Sequence, residues 1–338
     1  MDSLEKFNQN RTYANKHIDY SMEKILVIGA CGQIGSELTA ALRQKYGQEN
    51  VYAADLGSPD ENVNISPYLQ LNVLEPDRIR EYLRIHQITQ VYHLAAMLSA
   101  SGEQKPKQAW ALNIDGLLNV LDACLERQVK KVFWPSSIAV FGPSAQKINC
   151  PQENSSVPAT VYGISKAAGE HWCQYYFQNF GLDIRSIRFP GLISYKTRAG
   201  GGTTDYAVDI FHKAVSGEDF SCFLARDTYL PMMYMDDAIR AIIELMDAPA
   251  EALTIRSSYN LSAMSFSPEQ LHAALQAYFP EFKIGYQADS RQRIADSWPC
   301  SINDIQALLD WGWKAEYNLR RMTGEMVKQL KLMTQETV

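Results

Sequence analysis

The 338-residue chain has few cysteines, and none of the six sits in a Cys-x-x-Cys pair. Cys31, Cys124, Cys150, Cys173, Cys222 and Cys300 are scattered, which excludes a zinc knuckle and a dithiol redox motif. So few cysteines in so long a chain do not build a disulfide framework, and free thiols in a reducing compartment are expected. An excess of positive charge is also missing. Lys and Arg number 32 against 38 Asp and Glu, a formal charge of −6. A sequence-independent nucleic-acid binder needs a basic face to neutralise phosphates, so no nucleic-acid partner is expected. No uninterrupted apolar run is long enough to cross a bilayer, so no membrane partner is expected either. None of the six histidines pairs with another at metal-ligand spacing, and no metal is expected. With 19 Gly and 14 Pro the chain is neither collagen-like nor of low complexity, and it contains no internal repeat. The polar extension over residues 1–21 has no apolar core for a secretory signal. Its acids Asp2, Glu5 and Asp19 speak against a mitochondrial presequence, leaving a cytoplasmic location as the expectation.

What is present is a regular alternation of short apolar pulses and helical periods. Lys24–Ile28 is almost continuously apolar, as strands buried on both faces of a parallel sheet are. Further strands are expected at Val51–Ala54, Tyr68–Leu71, Gln90–Leu94, Lys131–Trp134 and Ile184–Phe189. Helices are expected at Ser36–Tyr46, Asp77–His86, Gln108–Arg127 and Ala159–Phe180. That order predicts an α/β fold, a doubly wound parallel sheet of Rossmann type with right-handed crossovers. After Pro190 the rhythm is lost: a loop at Gly200–Asp205, a helix at Tyr206–Val215, then aromatic-rich pieces. The expected division is a nucleotide-binding domain over 22–190 with returns from about 229–262. A smaller, mainly C-terminal substrate lobe takes 191–228 and 263–338.

Gly29-x-x-Gly32-x-x-Gly35 falls between the first strand and the first helix. There, backbone N–H groups and a helix N-terminus can face a diphosphate, and side chains would obstruct the approach. Asp55 ends the second strand, 20 residues beyond Gly35. A carboxylate there accepts hydrogen bonds from a ribose and repels a 2′-phosphate, which favours NAD over NADP. A plain strand-end acid is the competing reading. Asn72 and Val73 follow the third strand and can border an adenine.

Tyr162-x-x-x-Lys166 places a phenol and an ammonium on one helix face. A phenol with an ordinary pKa near ~10 is a poor base at neutral pH. An ammonium one turn away, with a positive nicotinamide ring, favours the phenolate. Tyr162 can then take the proton of a substrate hydroxyl. Ser137 follows the fifth strand, at the carboxyl end where ligands bind in such sheets, and can hold the same oxygen. His93 is expected to be packed at a strand end, and the stripe Tyr175–Phe177 to pack its helix.

Together these motifs resemble the extended short-chain dehydrogenase/reductase superfamily, which includes the nucleotide-sugar 4-epimerases. Further segments resemble the short-chain family of L-threonine 3-dehydrogenases: residues 135–143, 188–194, 200–207, 230–235 and 294–299. The likeness runs from about Lys24 to about Trp313. It implies NAD-dependent oxidation of L-threonine to 2-amino-3-oxobutanoate. Ser137 and Tyr162 would bind the threonine hydroxyl, with Tyr162 as base and Lys166 on the nicotinamide ribose. Gly29, Gly32, Gln33, Ile34 and Gly35 would line the diphosphate, and Asp55 the adenosine ribose. Asn72 and Val73 would border the adenine, while Leu94, Ala95, Ala96 and Leu192 complete the groove. Ser99, Gly191, Thr203, Thr204, Asp205 and Trp298 would form the amino-acid pocket. Asp205 competes with a helix-cap reading, and Trp298 with that of a core residue. The family often has Asp where this chain has Asn72, which puts the adenine contact in doubt. It often has Thr in place of Ser137, which keeps the hydroxyl. The resemblance also implies a homodimer pairing helices 108–127 and 159–180. The product decarboxylates readily, which couples the reaction to a CoA-dependent lyase. The competing functions are a nucleotide-sugar epimerase or dehydratase and a non-catalytic NAD-sensing regulator. The regulator would commonly lack part of Ser137, Tyr162 and Lys166.

Overall fold

The computed structural model describes residues 23–57, 66–154, 157–197 and 200–336. The polar extension over 1–21 lies outside them. A seven-stranded sheet dominates, in the order β10-β6-β5-β4-β1-β2-β3. All of its pairings are parallel. Its strands are β1 (Ile25–Ile28), β2 (Val51–Asp55), β3 (Tyr68–Gln70), β4 (Gln90–His93), β5 (Lys131–Ser137), β6 (Asp183–Phe189) and β10 (Tyr259–Asn260). The helices that flank it are α1 (Gln33–Tyr46), α2 (Pro76–Ile85), α5 (Gly116–Glu126), α6 (Val161–Phe180) and α8 (Met235–Asp247).

The strand pulses work as two-faced strands. Ile25 and Val27 pack into one core with Leu38, Leu42, Ile242 and Leu245 of α1 and α8. Leu26 and Ile28 point the other way, into a core with Ile79, Leu117, Leu121 and Trp134. Strand order reverses at β1, which pairs β2 on one side and β4 on the other. Crossovers therefore leave in opposite directions and open a crevice at the carboxyl ends of β1 and β4, the ligand position of open α/β sheets.

The region after Pro190 is built differently. β7 (Gly191–Ile193), β9 (Leu230–Tyr234) and β11 (Met264–Phe266) form a three-stranded sheet in the order β11-β9-β7. β8 (Phe220–Cys222) and β12 (Ile284–Tyr286) form a parallel pair. α7 (Tyr206–Ser216), α9 (Pro268–Gln276), α10 (Ser290–Asp296), α11 (Ile305–Trp311) and α12 (Leu319–Glu336) complete it. A third core, with Tyr206, Phe211, Leu230, Trp298 and Met326, fills this part.

Two expected helices differ in detail. The helix expected over 108–127 is α4 (Pro106–Trp110), a π-turn at Ala111–Asp115, then α5. The helix expected from Ala159 starts at Val161, because Thr160 caps it by accepting a hydrogen bond from Gly163 N at 3.0 Å. α3 (Ser99–Gln104) precedes this bundle.

Candidate active site at the carboxyl ends of the strands

The crevice beside β1 is a cleft of about 400 Å³, lined by Gly29, Cys31, Gly32, Asp55, Asn72, Val73, Leu94, Ala95, Ala96 and neighbours. Gly29 has φ +86, and a Cβ on it would lie 2.7 Å from Ala95 N. A Cβ on Gly35 would lie 2.0 Å from the Gly29 carbonyl oxygen, so the first turn of α1 can sit against the end of β1 only without one. Gly32 is the N-cap of α1 with no side-chain hydrogen bond, which leaves the helix N-terminus bare toward the cleft. Gln33 and Ile34 open that helix, and Ile34 and Leu192 both pack against the α1–α8 core. A bare helix N-terminus in a cradle that side chains would fill fits a diphosphate.

Asp55 ends β2 at the rim. Its Oδ2 accepts from Cys31 N at 2.9 Å and its Oδ1 from Leu56 N at 2.8 Å. The carboxylate is thus aimed at the glycine turn rather than left as a loose strand-end acid. Asn72 accepts from Leu74 N at 3.0 Å through Oδ1, an Asx turn that holds its side chain at the cleft wall.

On the other side of β4 lie Tyr162, Lys166 and Ser137. Gly163 and Gly169 bring α6 flat onto β5. A Cβ on Gly163 would lie 2.1 Å from the Ala139 carbonyl oxygen, and one on Gly169 would lie 2.5 Å from the Trp134 ring. This contact sets Tyr162 beside Ser137, whose Oγ also accepts from Ala139 N at 3.2 Å. Burial pushes the Tyr162 phenol up to about 12, while a hydrogen bond with Ser137 acts the other way. Lys166 is 2 % exposed, and its Nζ donates to the Pro135 carbonyl oxygen at 2.6 Å. Nζ stands 4.4 Å from the Trp134 ring centre and 5.7 Å from that of Tyr162. Burial pulls its pKa down to about 7, with Cys173 and Glu170 opposing. His93 is buried at the end of β4, as expected, with no hydrogen-bond partner on either ring nitrogen among the described residues. Burial first, and then the charge of Lys166, push its pKa down to about 3.

The residues expected to form the amino-acid pocket lie on α3, on β7, in the loop before α7 and after α10. Ser99 begins α3 and is buried. Gly191 begins β7, and a Cβ on it would lie 2.7 Å from Thr204 and 2.4 Å from Met232 Sδ. The strand and the threonine loop are therefore pressed together, with Thr203 buried beneath. Asp205 is not a side-chain cap of α7. Its Oδ2 accepts from Gly201 N at 2.7 Å and Gly202 N at 2.5 Å, closing the glycine loop. Burial raises its pKa, against the two N–H donors that lower it. Trp298 is buried in the core on which Tyr162 rests.

Asn113 has no counterpart among the residues expected from the sequence. In the π-turn its Oδ1 accepts from Met97 N at 2.8 Å, and its Nδ2 donates to Ser165 Oγ at 3.0 Å and to Met97 O at 3.1 Å. It ties the segment that follows β4 to the helix of Tyr162. A polar residue inside an apolar helical period is the one signal that pointed to it.

A cradle for a diphosphate joined to a tyrosine–lysine pair defines a nucleotide-dependent enzyme of the alcohol–carbonyl type. Residues 25–262 match the NAD dependent epimerase/dehydratase family. The chain belongs to that family, its cofactor is NAD, and its fold is that of the extended short-chain dehydrogenases. It is 47 % identical over 313 residues to an uncharacterized epimerase/dehydratase of Staphylococcus saprophyticus, covering 92 % of this chain and 98 % of that one. It is similar to the holo form of a GalE-like L-threonine dehydrogenase from Cupriavidus necator. That match has TM-score 0.89 and 53 % identity, covering 91 % of this chain and 100 % of the other. A monomeric L-threonine 3-dehydrogenase from a metagenome matches with TM-score 0.89 and 47 % identity, over 91 % and 99 % of the two chains. Among the described residues no helix is long and apolar enough to cross a membrane.

Proposed function

We propose that this enzyme oxidises the β-hydroxyl of L-threonine to give 2-amino-3-oxobutanoate. What carries the reading is the likeness to threonine dehydrogenases along almost the whole chain, joined to the close approach of Gly191 and Thr204, which leaves no room for a side chain at 191. The division into a nucleotide-binding domain and a substrate lobe belongs to the same proposal.

NAD, when bound, supplies the hydride acceptor and a positive ring beside Tyr162. Gly29, Gly32, Gln33, Ile34 and Gly35 would hold its diphosphate, Asp55 a ribose, and Asn72 and Val73 the adenine. Leu94, Ala95, Ala96 and Leu192 would wall the groove. Ser137 orients the substrate hydroxyl, and the Tyr162 phenolate accepts its proton. Lys166 Nζ stands 5.7 Å from the Tyr162 ring centre, and its charge would stabilise that phenolate. Thr203 and Thr204 would donate to the substrate carboxylate. The free oxygen of Asp205 would face the ammonium, with Ser99, Gly191 and Trp298 shaping the rest. The experiment is NADH formation from L-threonine and NAD by the purified enzyme. NAD-binding protein that yields no NADH overturns the reading. A single UDP-sugar converted without net NADH would favour the epimerase alternative.

The homodimer belongs to this proposal too. Ile164, Trp172, Tyr175 and Phe180 of α6 and Trp110 of α4 are exposed large apolar side chains, and a second copy would cover them. Light scattering of the wild type against Trp172→Glu tests it; identical masses reject it. Delivery of the labile product to a CoA-dependent lyase completes the reading.

A further inference from the structure

The turn that follows Asp55 is held from outside the cleft, by the edge strand of the sheet. β3 runs beside β2, with Ala53 opposite Tyr68 and Asp55 opposite Gln70. The Tyr68 ring packs against the core of α1 and α8. Its hydroxyl reaches on toward the rim and donates to two carbonyl oxygens, that of Asp55 at 3.1 Å and that of Gly57. A phenol has one proton, so this one is shared between the two ends of the turn and ties them together. Gln70 adds a second brace, its Nε2 donating to the Leu56 carbonyl oxygen at 3.1 Å. The cleft on this side is lined by Asp55, Leu56, Leu71 and Asn72, and Tyr68 stands behind them.

We infer that Tyr68 is a positioning residue for the choice of cofactor: by fixing the turn at residues 55–57 it aims the Asp55 carboxylate into the cleft, and so sets the preference for NAD over NADP from behind the cleft wall. The inference rests on the reading of Asp55 as the ribose residue. It goes beyond that reading by placing a determinant of the choice on an edge strand.

The anchoring of Asp55 shows how a hydroxyl on β3 can act on it. The carboxylate has two anchors, Cys31 N on Oδ2 and Leu56 N on Oδ1. The first belongs to the glycine turn. The second belongs to the turn that Tyr68 closes, and it holds only while Leu56 keeps its place. With both anchors made, each oxygen still has lone-pair capacity for a ribose hydroxyl, and the charge is fixed where a 2′-phosphate would be repelled. With the second anchor loosened, the carboxylate can turn away. It then serves a ribose less well and repels a phosphate less strongly. The two cofactors therefore respond in opposite senses, which a general loosening of the cleft does not produce. The brace also persists across pH. Burial first, and then the charges of Cys31 and Asp55, push the Tyr68 phenol up to about 12, so its hydroxyl stays a donor.

The test measures Kd for NAD and for NADP, each by displacement of fluorescent NADH from the full chain. The proteins are wild type, Tyr68→Phe, Asp55→Ala and the double variant. Tyr68→Phe keeps the ring and its packing. It should raise the NAD Kd about fivefold, the size of one lost hydrogen bond, while NADP binds no more weakly than to wild type. The preference for NAD should fall by the same factor. A role confined to packing weakens both cofactors alike and leaves the preference in place, which overturns the inference. In the Asp55→Ala background, Tyr68→Phe should leave the preference unmoved, because there is no carboxylate left to aim. A fivefold change in that background as well overturns the inference. If Asp55→Ala shifts the preference and Tyr68→Phe does not, the inference fails and the reading of Asp55 stands. If Asp55→Ala leaves both cofactors unchanged, that reading fails and takes the inference with it. None of these titrations uses threonine, so the identity of the substrate does not enter the result.

Discussion

The two ends of the central sheet bury cations in opposite ways. At the amino ends of the strands, Arg185 is 3 % exposed and fully partnered. It pairs with Asp183 at 2.7 Å and donates to the carbonyl oxygens of Leu245 at 2.6 Å, Met246 at 3.1 Å and Ala248 at 2.7 Å. Asp183 also pairs with Arg256 at 2.8 Å. At the carboxyl ends, Lys166 is as deeply buried, but among the described residues its hydrogen bond goes to one carbonyl, and Glu170, one turn along the same helix, is bound to Arg188. His93 beside it has no partner on either nitrogen among the described residues. A buried charge with every donor satisfied holds a fold together; one left under-satisfied costs stability and is kept for its reactivity.

That contrast breaks most visibly at Tyr162. Tyr162→Phe should lose about 10³-fold in kcat while NAD affinity and thermal stability stay near wild type, since a general base contributes roughly 10²–10⁴. Turnover within tenfold of wild type, measured by NADH formation, rejects Tyr162 as the base. In the intact enzyme the rate should climb from about pH 6 to about pH 9 as the phenolate forms; a flat profile with chemistry rate-limiting counts against it.

Arg185→Ala is the matching lesion at the other end. Taking from Asp183 one of its two arginines, and from the Leu245 and Ala248 carbonyls their buried donor, should cost about 3–5 kcal/mol in urea unfolding, with turnover per folded molecule unchanged. A stability change under about 1 kcal/mol would reduce that cluster to a surface ion pair.

The two ends should also titrate in opposite windows. The folded pKa of Lys166 is depressed to about 7, so between there and the ordinary lysine value near ~10.4 the unfolded chain binds the extra proton. Its contribution to stability therefore rises with pH across that window, by at most about 1.4 kcal/mol per pH unit. Lys166→Met should flatten this slope. The Asp183 pKa is lowered, the arginines outweighing its burial. Its contribution is present above the ordinary carboxylate value near ~3.9 and lost as pH falls through the folded value. Urea melts across pH distinguish the two, and a Lys166→Met protein with the wild-type slope removes Lys166 as its source.

The smallest effect lies at the cleft rim. Asp55→Asn should weaken NAD about tenfold and narrow its preference over NADP, the size of a lost charged hydrogen bond. Unchanged titrations of both cofactors would leave Asp55 as a brace for the Cys31 backbone alone.

Much of this was legible without coordinates. The apolar run at 25–28 and the glycines at 29, 32 and 35 imply a buried strand, a turn and a helix, because those constraints are local. Tyr162 and Lys166 read as a pair because a helix places residues four apart on one face. Glu170 and Arg188 did not read as a pair. They are 18 positions apart in sequence, and they meet only because Gly163 and Gly169 let α6 lie flat on β5. Asn113 stayed hidden because its partners, Met97 and Ser165, lie 16 and 52 positions away in sequence. The helix start at Val161 was set by the Thr160 cap.

The amino-acid sequence alone determined the order of strands and helices, the two-faced core pattern and the chemical types in the cleft, since these follow from periodicity and short spacing. Tertiary structure decided which charges are satisfied. It spent Asp205 on its own glycine loop, gave Glu170 to Arg188 and left Lys166 with a single carbonyl. Satisfaction depends on which distant groups packing brings within hydrogen-bond reach, and no local pattern carries that information.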